Sequence, residues 1–504
     1  MGSAVARGDS IVRYALLVAG AICLSSAFLW EAAWPLAWIG FVPLIALAPH
    51  TSDVRAAARL GWLFGFVAEF PAFLWLVRTI HVFGGFPAPL AVAFYLILTA
   101  YGACQFALFS AGLRWAGPSA SGLLAALLWT ALEFLYPNLF PWRLGHSQRA
   151  VPLLMQIGDA TGPYGLSFAM IYLAAALARV REAPRALVGP VAVLALLIGY
   201  GIYREAQIDA IVRAAPAVRV GIVQGNLSLD EKRHADHFRE NVARYQHLSS
   251  TITPPPDLLV WPESVVEWGI PHDEANLDEL DPLPGATTPL IFGAVSYRRP
   301  RASEPLGRGN VEWFNSAFLR SAEGRLTARY DKMILMPFGE FIPFGSMFPW
   351  LKDLSPNTGD FTAGLGPVPL EVTPSLRVGP LVCYEDLVAG LVRRTVDAGA
   401  TVLLTVANLA WFGQGMALWQ HESLALWRAI ENRRFLVIAT NTGLSSVIDP
   451  AGRVVASLPV GEAVARAVEI RPLTVATPYR RLGDAFGWFS VALTAALLLR
   501  LKTH

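Results

Sequence analysis

Long apolar runs alternate with short polar segments over the first two hundred residues of the chain. A helix needs about 20 mostly apolar residues to cross the hydrocarbon core of a bilayer. Eight segments have this character: 11–29, 33–49, 58–77, 88–112, 120–136, 162–179, 186–203 and 485–500. The pattern therefore predicts a membrane domain with seven helices in residues 1–210 and an eighth helix, followed by a cytoplasmic tail, in residues 485–504.

Residues 215–475 have a different pattern, in which short β-branched runs alternate with longer amphipathic ones. The strand candidates are 218–225, 257–263, 290–297, 316–320, 326–331, 376–383, 401–407, 436–441 and 445–448. The helix candidates are 230–250, 386–398 and 419–433. Strands interleaved with helices predict a layered α/β domain, which lies between the seventh and eighth predicted membrane helices.

Composition and charge agree with a membrane protein. The chain has 504 residues, of which 54% are hydrophobic and 15% charged, whereas soluble proteins have about 25% charged residues. The net charge is +2, and basic residues do not cluster with aromatic ones, so we expect no nucleic acid partner. Lys and Arg are concentrated in the loops on the side of both predicted termini, which favours cytoplasmic termini and an outer, periplasmic α/β domain.

Three chemically reactive side chains stand at the ends of predicted strands: Glu263, Lys332 and Cys383. Catalytic groups in α/β sheets gather at the carboxyl ends of the strands. A thiolate can act as a nucleophile, a partly buried carboxylate can take the thiol proton, and an ammonium group can stabilise an oxyanion. Because Cys23 and Cys104 lie in predicted membrane helices, Cys383 is the only thiol of the polar region.

Each of these residues also has a simpler interpretation. A free cysteine is more often a small buried hydrophobic residue, Glu263 could cap a helix, and Lys332 could be a surface charge beside Asp331. Their joint placement favours the catalytic interpretation. His234 and His237 are close in sequence, but no metal-binding motif accompanies them. We interpret them as a solvated helix face and expect neither a metal nor a cofactor.

The residues around these positions resemble the three signature regions of the carbon–nitrogen hydrolase, or nitrilase, superfamily. The matching segments are Trp261-Pro-Glu263, Tyr330-Asp-Lys332 and Cys383-Tyr-Glu385. The segment Pro337-Phe-Gly-Glu-Phe-Ile-Pro343 is a further, specific match. With its predicted membrane helices, the chain resembles the apolipoprotein N-acyltransferase family over nearly its whole length.

This resemblance implies an αββα sandwich with a Glu-Lys-Cys triad and an acyl transfer in two steps. Cys383 would attack the sn-1 ester of a phospholipid, commonly phosphatidylethanolamine, and form a thioester. The α-amino group of a diacylglyceryl-cysteine at the N-terminus of a lipoprotein would then take the acyl chain. Glu263 would act as the base in both steps, and Lys332 would stabilise both tetrahedral states.

The resemblance also implies supporting residues around the triad. Glu340 would support Lys332, and Tyr384 and Glu385 would shape the pocket around Cys383. The chain departs from the family pattern at Glu231-Lys-Arg-His234, where an aromatic residue is common, and at Leu409, where an acid is common. Neither departure involves the triad, so they concern the preference for acyl chain or headgroup rather than the reaction.

Aromatic residues crowd two stretches of the predicted outer domain that are rich in Gly and Pro. The stretches contain Phe341 and Trp350, and Trp411 and Trp419. We interpret them as arms at the membrane surface that admit lipid chains, because aromatic residues favour that interface. The alternative is that these side chains belong to an ordinary hydrophobic core.

Two other functions remain open from the sequence. A membrane-anchored amidase would use the same acyl-enzyme with water as the acceptor, although eight membrane helices are unnecessary for a small soluble substrate. A transporter or scaffold would need ionisable residues inside the membrane, and Glu69 and Glu133 are the main candidates. Two scattered acids make a poor ion pathway, which argues against a transporter. We expect a monomeric acyltransferase of the bacterial inner membrane.

Overall fold

The chain divides into two compact units. The first comprises Met1–Val77, Pro89–Gln207 and Thr477–His504, and the second comprises Arg78–Ala88 and Ile208–Ala476. The computed structural model describes residues 2–502 apart from 83, 119–120, 229–230, 232–236, 277–287, 300–310, 346, 349, 351–358 and 414, and only the backbone of residues 2–10 and 502. The predicted helix face at His234 lies outside the described residues.

In the described residues, the regular secondary structure of the first unit is helical. They are α1 Gly2–Leu29, α2 Ala37–Gly40, α3 Val42–Leu47, α4 Val54–Ala72, α5 Trp75–Val82, α6 Ala88–Ala116, α7 Gly122–Leu135, α8 Pro152–Met155, α9 Gly158–Thr161, α10 Tyr164–Ala178 and α11 Val188–Ala214. Short 3₁₀ helices cover Glu31–Leu36, Ala48–His50, Leu144–Gln148 and Pro184–Leu187. Asp53 begins α4 by accepting a hydrogen bond from Ala56 N at 2.8 Å, as expected for an N-cap residue.

In the residues that the structure describes, the second unit contains two mixed β-sheets and three helices of its own. The strands are β1 Val218–Gln224, β2 Leu258–Val260, β3 Val266–Pro271, β4 Leu290–Arg298, β5 Glu312–Arg320, β6 Leu326–Asp331, β7 Leu370–Glu371, β8 Arg377–Val382, β9 Val402–Ala407, β10 Leu436–Thr440, β11 Ser446–Ile448, β12 Val454–Ser457 and β13 Val464–Ile470. The helices are α12 Phe238–Ser250, α13 Ala389–Asp397 and α14 Met416–Asn432, with 3₁₀ helices at Cys383–Leu387 and Leu409–Phe412.

The chain ends in two further helices that belong to the first unit, α15 Pro478–Leu482 and α16 Ala485–Lys502. Among the described residues, four helices are long and apolar enough to cross a membrane: Ile11–Leu29, Glu31–His50, Ala88–Ala116 and Pro184–Ala214. Counting two bent pairs as one span each gives six, and α7 and α16 are shorter apolar helices. The structure thus has apolar helix at each predicted span, while the number that cross a membrane stays a prediction.

The two sheets pack face to face, with helices on both outer sides. The first sheet has the strand order β13-β1-β2-β4-β5-β6, with β3 paired to β4, and the second has the order β12-β11-β10-β9-β8-β7. Apolar side chains from both sheets, such as Ile222, Ile291, Val382 and Leu404, share one buried core. Helix α12 covers the first sheet, and α13 and α14 pack against the second. These four layers agree with the expected αββα sandwich.

The observed strands differ from the predicted ones at several places, each with a local cause. The sequence predicted a strand over 257–263, but β2 ends at Val260. Pro262 lacks the N–H that a central strand must donate. Strand β13 was not predicted, although its residues alternate in character. It lies at the edge of its sheet and is largely half-buried, so it lacks the continuous apolar run that marked the central strands.

Asn441 links the ends of the two sheets through a fully used side chain. Its Oδ1 accepts hydrogen bonds from Leu227 N and Tyr245 Oη, both at 3.0 Å. Its Nδ2 donates to Leu227 O at 2.8 Å and to Asn408 Oδ1 at 3.2 Å. Asn441 follows β10 of the second sheet, and Leu227 follows β1 of the first. The amide therefore reinforces the backbone hydrogen bond that Asn226 N donates to Asn441 O at 2.8 Å.

We expect Asn441→Ala to destabilise the second unit, because it leaves several buried polar groups without partners. The cost is about 2–4 kcal/mol, which corresponds to a fall in the apparent melting temperature of about 5–10 °C. Near-ultraviolet circular dichroism of the detergent-solubilised protein during heating would measure it. The exposed Asn276 provides a matched control, since Asn276→Ala should leave the melting temperature unchanged. Equal melting temperatures for the two variants would contradict this role of Asn441.

Candidate active site

The structure brings the three predicted reactive residues together in the second unit. Glu263 follows β2 and Lys332 follows β6 in the first sheet, whereas Cys383 follows β8 in the second. Lys332 Nζ lies 3.9 Å from Glu263 Oε1. The charges of both residues act on the pKa of Cys383. Since the sheets pack face to face, strand ends from both contribute to one site.

Lys332 carries a buried ammonium group held between two carboxylates. The residue is 1% exposed, and its Nζ lies 2.7 Å from Glu340 Oε2. Burial alone would lower the pKa of Lys332, but the carboxylates of Glu340 and Glu263 raise it above its usual range. The ammonium form therefore persists at neutral pH, which fits the predicted role in stabilising an oxyanion.

Glu263 is fixed at both carboxylate oxygens. Oε1 accepts a hydrogen bond from Asn315 Nδ2 and Oε2 accepts one from the backbone N–H of Asn408, each at 2.7 Å. Gly293 on β4 lies so close that a Cβ there would be 2.5 Å from Glu263 Cα. The neighbouring strand β4 thus needs a glycine at this position so that Glu263 can lie against it.

Asn315 is a site residue that the sequence did not reveal. Its Nδ2 donates to Glu263 Oε1 at 2.7 Å and to Glu340 Oε1 at 2.8 Å, and its backbone carbonyl accepts from Lys332 N at 2.8 Å. The amide thereby bridges two carboxylates that would otherwise repel each other. The available signal was an asparagine in the apolar strand β5, where an unpaired amide would be costly.

Glu340 contacts Lys332 and Asn315, and its supporting role stays a prediction. Besides Lys332 and Asn315, its carboxylate accepts a hydrogen bond from Met336 N at 2.9 Å. It stands in the loop after Lys332, so one short stretch of chain supplies both the ammonium group and its closest counter-charge. A Lys-to-Glu contact of this kind keeps the long lysine side chain in one orientation.

Cys383 begins the 3₁₀ helix Cys383–Leu387 with a φ of +55°. Side chains with a Cβ rarely adopt this left-handed conformation, and such strain occurs often at functional sites. The residue is half-buried. Burial raises the pKa of the Cys383 thiol well above its usual value, the Glu263 carboxylate raises it further, and Lys332 opposes them. The resting residue is therefore a thiol that needs a base.

Glu385 is hydrogen-bonded to the backbone next to Cys383, and its part in shaping the pocket stays a prediction. Its carboxylate is fully buried and accepts hydrogen bonds from Tyr330 Oη at 2.8 Å, Met333 N at 2.6 Å and Val382 N at 2.8 Å. These contacts tie the end of β8 to the loop that follows Lys332. Tyr384, which is half-buried, remains the candidate for the pocket wall.

A second buried pair, which the sequence did not reveal as such, lies beside the triad. Asp386 Oδ2 is 2.9 Å from His421 Nε2 and accepts from Thr405 Oγ1 at 3.1 Å. Burial alone would lower the pKa of His421, but the Asp386 carboxylate raises it above its usual value. The pair connects α14 to the 3₁₀ helix that carries Cys383.

The four aromatic residues of the predicted arms differ in exposure. Trp350 is 59% exposed and Trp419 is 44% exposed, whereas Phe341 and Trp411 are half-buried. Near Trp350, Phe344 is 70% exposed and adopts a positive φ. Large apolar side chains with this exposure are unusual in a protein surrounded by water alone.

Comparisons with known proteins agree with this fold. The family model "Carbon-nitrogen hydrolase" matches residues 219–476, which defines the second unit as a domain of the carbon–nitrogen hydrolase class. The family model "Apolipoprotein N-acyltransferase N-terminal domain" matches residues 20–176. The chain belongs to the apolipoprotein N-acyltransferase family.

Relatives with this name match the chain over most of its length. An apolipoprotein N-acyltransferase of Geobacter metallireducens is 33% identical over 98% of this chain and 97% of its own. One of Azotobacter vinelandii is 32% identical over 89% and 87%. The crystal structure of an amidase from Nesterenkonia sp. has 19% identity and a TM-score of 0.33, covering 50% of this chain and 90% of that one. Because that score is low, the fold assignment depends on the family model and the sheet topology.

We expect Glu263→Gln to lower the pKa of Cys383, because the amide removes a negative charge that disfavours the thiolate. The variant should nevertheless lose about 10²–10⁴-fold in acyl transfer, since the base is absent. The pH midpoint of Cys383 alkylation, followed by intact mass, measures the first effect. Glu371→Gln, at an exposed acid of the same unit, should change neither quantity. An unchanged or higher midpoint in Glu263→Gln would contradict this electrostatic assignment.

Proposed function

We propose that the chain transfers a fatty acyl group from a phospholipid, through a thioester on Cys383, to the α-amino group of the diacylglyceryl-cysteine of apolipoproteins. The donor in this proposal is the sn-1 ester of phosphatidylethanolamine. The main observation in favour of this proposal is the buried cluster of Glu263, Lys332 and Glu340. It acts on the thiol of Cys383, whose pKa is raised above its usual value by burial. The names of the relatives support the acceptor.

In the first step, Glu263 takes the proton of the Cys383 thiol as Sγ attacks the ester carbonyl carbon. The raised thiol pKa makes proton transfer part of the attack, because little thiolate exists beforehand. Lys332 and the backbone N–H of Tyr384 stabilise the oxyanion. The tetrahedral state collapses by breaking the ester C–O bond, and the leaving alkoxide takes the proton from Glu263 as lysophospholipid.

In the second step, the α-amino group of the acceptor attacks the thioester carbonyl carbon. Glu263 again takes a proton, this time from the nitrogen, and Lys332 again faces the oxyanion. Breaking the C–S bond releases the amide product, and the sulfur takes the proton back from Glu263. A thioester reacts readily with an amine, which makes the covalent intermediate useful when the parent ester is sluggish.

The proposal includes a membrane arrangement. Residues 1–210 and 485–504 would form the membrane domain of eight helices, with residues 215–475 between the seventh and the eighth. The loop charges support cytoplasmic termini and a periplasmic catalytic domain in the inner membrane of a bacterium. The chain would act as a monomer, because one chain supplies the nucleophile, base and oxyanion contacts.

Intact mass spectrometry after incubation with phosphatidylethanolamine tests the thioester. We expect an acyl adduct that hydroxylamine removes, absent in Cys383→Ala and retained in Cys104→Ala, which removes another thiol. Adding a diacylated lipopeptide should discharge the adduct and yield a triacylated peptide. Discharge by water alone would indicate an amidase-like hydrolase instead, and failure to form any adduct would contradict the proposed first step.

We also propose that Phe341, Trp350, Trp411 and Trp419 belong to arms that contact lipid chains. In liposomes with brominated lipid tails, Trp350→Phe should reduce the quenchable part of the tryptophan fluorescence. Trp313→Phe is the matched control, because Trp313 is 41% exposed but stands on strand β5 and packs against Tyr297. Equal quenching in wild type and Trp350→Phe would place this tryptophan away from lipid.

A further inference from the structure

Two glutamates on helices of the first unit differ in how their charge is accommodated. Glu133 on α7 is 1% exposed and accepts a hydrogen bond from Leu144 N at 2.6 Å. Glu69 on α4 is 6% exposed, yet within the described part of the chain its carboxylate has neither a hydrogen-bond donor nor a basic partner. Burial of this kind marks a functional group more often than a structural one in a membrane helix.

The polar groups around Glu69 are engaged with other atoms. The hydroxyl of Tyr95 donates to Phe70 O, and the hydroxyl of Thr99 donates to Tyr95 O at 3.0 Å. The hydroxyl of Tyr101 donates to Pro137 O at 2.8 Å. Asn138, which lines the same cavity, donates from Nδ2 to Gln105 Oε1 at 3.5 Å. The hydrogen bonds of these donors therefore go to other atoms, and the Glu69 carboxyl group stays available to a group from outside the chain.

Glu69 borders a cavity of about 60 Å³. Aromatic rings form much of its wall, those of Phe73, Tyr95, Tyr101, Phe140 and Trp142. Water needs about 10–15 Å³ measured in this way, so the cavity has room for a small polar group rather than for one water alone. All these residues belong to the first unit, whereas Cys383 belongs to the second.

Gly102 on α6 shows that the helix packing leaves room for the carboxylate. A Cβ at this position would overlap Glu69 Oε2. Any other residue would push the carboxylate out of its place beside α6. The acid and the glycine that accommodates it thus form one arrangement across two helices.

A carboxylate in a cavity lined by aromatic rings suits a small cation. The carboxylate supplies the opposite charge, and ring faces attract ammonium groups by a further cation–π interaction worth about 0.5–2 kcal/mol. A buried carboxylate without a counter-charge is costly, so a cation that enters the cavity would stabilise it by supplying that counter-charge. We propose that this cavity binds a primary ammonium group, such as an ethanolamine lipid headgroup or the α-amino group of a lipopeptide.

The position of Glu69 along its helix agrees with a ligand from the outer leaflet. Arg114 at the end of α6 donates to Thr51 O and Ser52 O at the start of α4, so these two helix ends lie at one level. Glu69 lies about 22 Å along α4 from that level, at 1.5 Å per residue. In a hydrocarbon core about 30 Å thick, and with Arg55, Arg59 and Arg114 on the cytoplasmic side, the carboxylate is in the outer half.

Binding in the Cys383→Ala background tests the proposal without turnover. It takes from the proposed function only that phospholipids and lipopeptides reach the chain, so a failure of thioester chemistry does not affect the result. Nanodiscs would contain equal amounts of phosphatidylethanolamine and phosphatidylglycerol, and native mass spectrometry would report which lipid stays bound. We expect Glu69→Gln to reduce the retention of phosphatidylethanolamine relative to phosphatidylglycerol by about tenfold.

Two further variants control the result. Glu69→Asp keeps the charge and should keep part of the preference, whereas Glu31→Gln, at an exposed acid of the same unit, should keep all of it. A parallel experiment with a diacylated lipopeptide and its N-acetylated form tests the other source of the ammonium group. Dependence on Glu69 for either amine supports the proposal and identifies the source. Unchanged binding of both amines in Glu69→Gln overturns it.

Discussion

The candidate active site depends on one buried positive charge, the ammonium group of Lys332. Such a charge is stable inside a protein only when carboxylates and hydrogen bonds compensate its lost hydration. Glu340 lies at 2.7 Å and Glu263 at 3.9 Å from it, and Asn315 donates to both carboxylates. The lysine thereby determines where the proposed base can lie, and the base in turn sets the surroundings of the thiol. Replacing any one of these side chains would leave the charge of another without full compensation.

The sandwich of two sheets makes this cluster possible, because each sheet supplies only part of it. Glu263, Asn315 and Lys332 come from the first sheet and Cys383 from the second. Asn441 joins the sheets at the ends of β1 and β10, and Glu385 joins β8 to the loop after β6. These side chains, together with Glu263, which accepts from Asn408 N, help to hold the two sheets in alignment.

The sequence predicted the principal features of this fold because they depend on local patterns. Runs of β-branched residues marked the central strands, and Glu263, Lys332 and Cys383 each follow such a run. Asn315 could not be assigned in this way, since its role arises from two carboxylates distant in sequence. The same holds for the pairing of Asp386 with His421. Glu69 was conspicuous as an acid in an apolar helix, but Gly102 and the aromatic wall beside it come from other segments.

The cluster of Glu263, Glu340 and Lys332 has one excess negative charge when the thiol is neutral. In the proposed first step, the proton moves from sulfur to Glu263 while negative charge appears on the substrate oxygen. The total charge of the pocket is then the same as before, and only its distribution over a few ångströms has changed. Surrounding dipoles need little reorganisation, provided that the donor enters uncharged. A free fatty acid would bring a second excess negative charge into this pocket, so electrostatics disfavours it as a donor relative to an uncharged acyl ester.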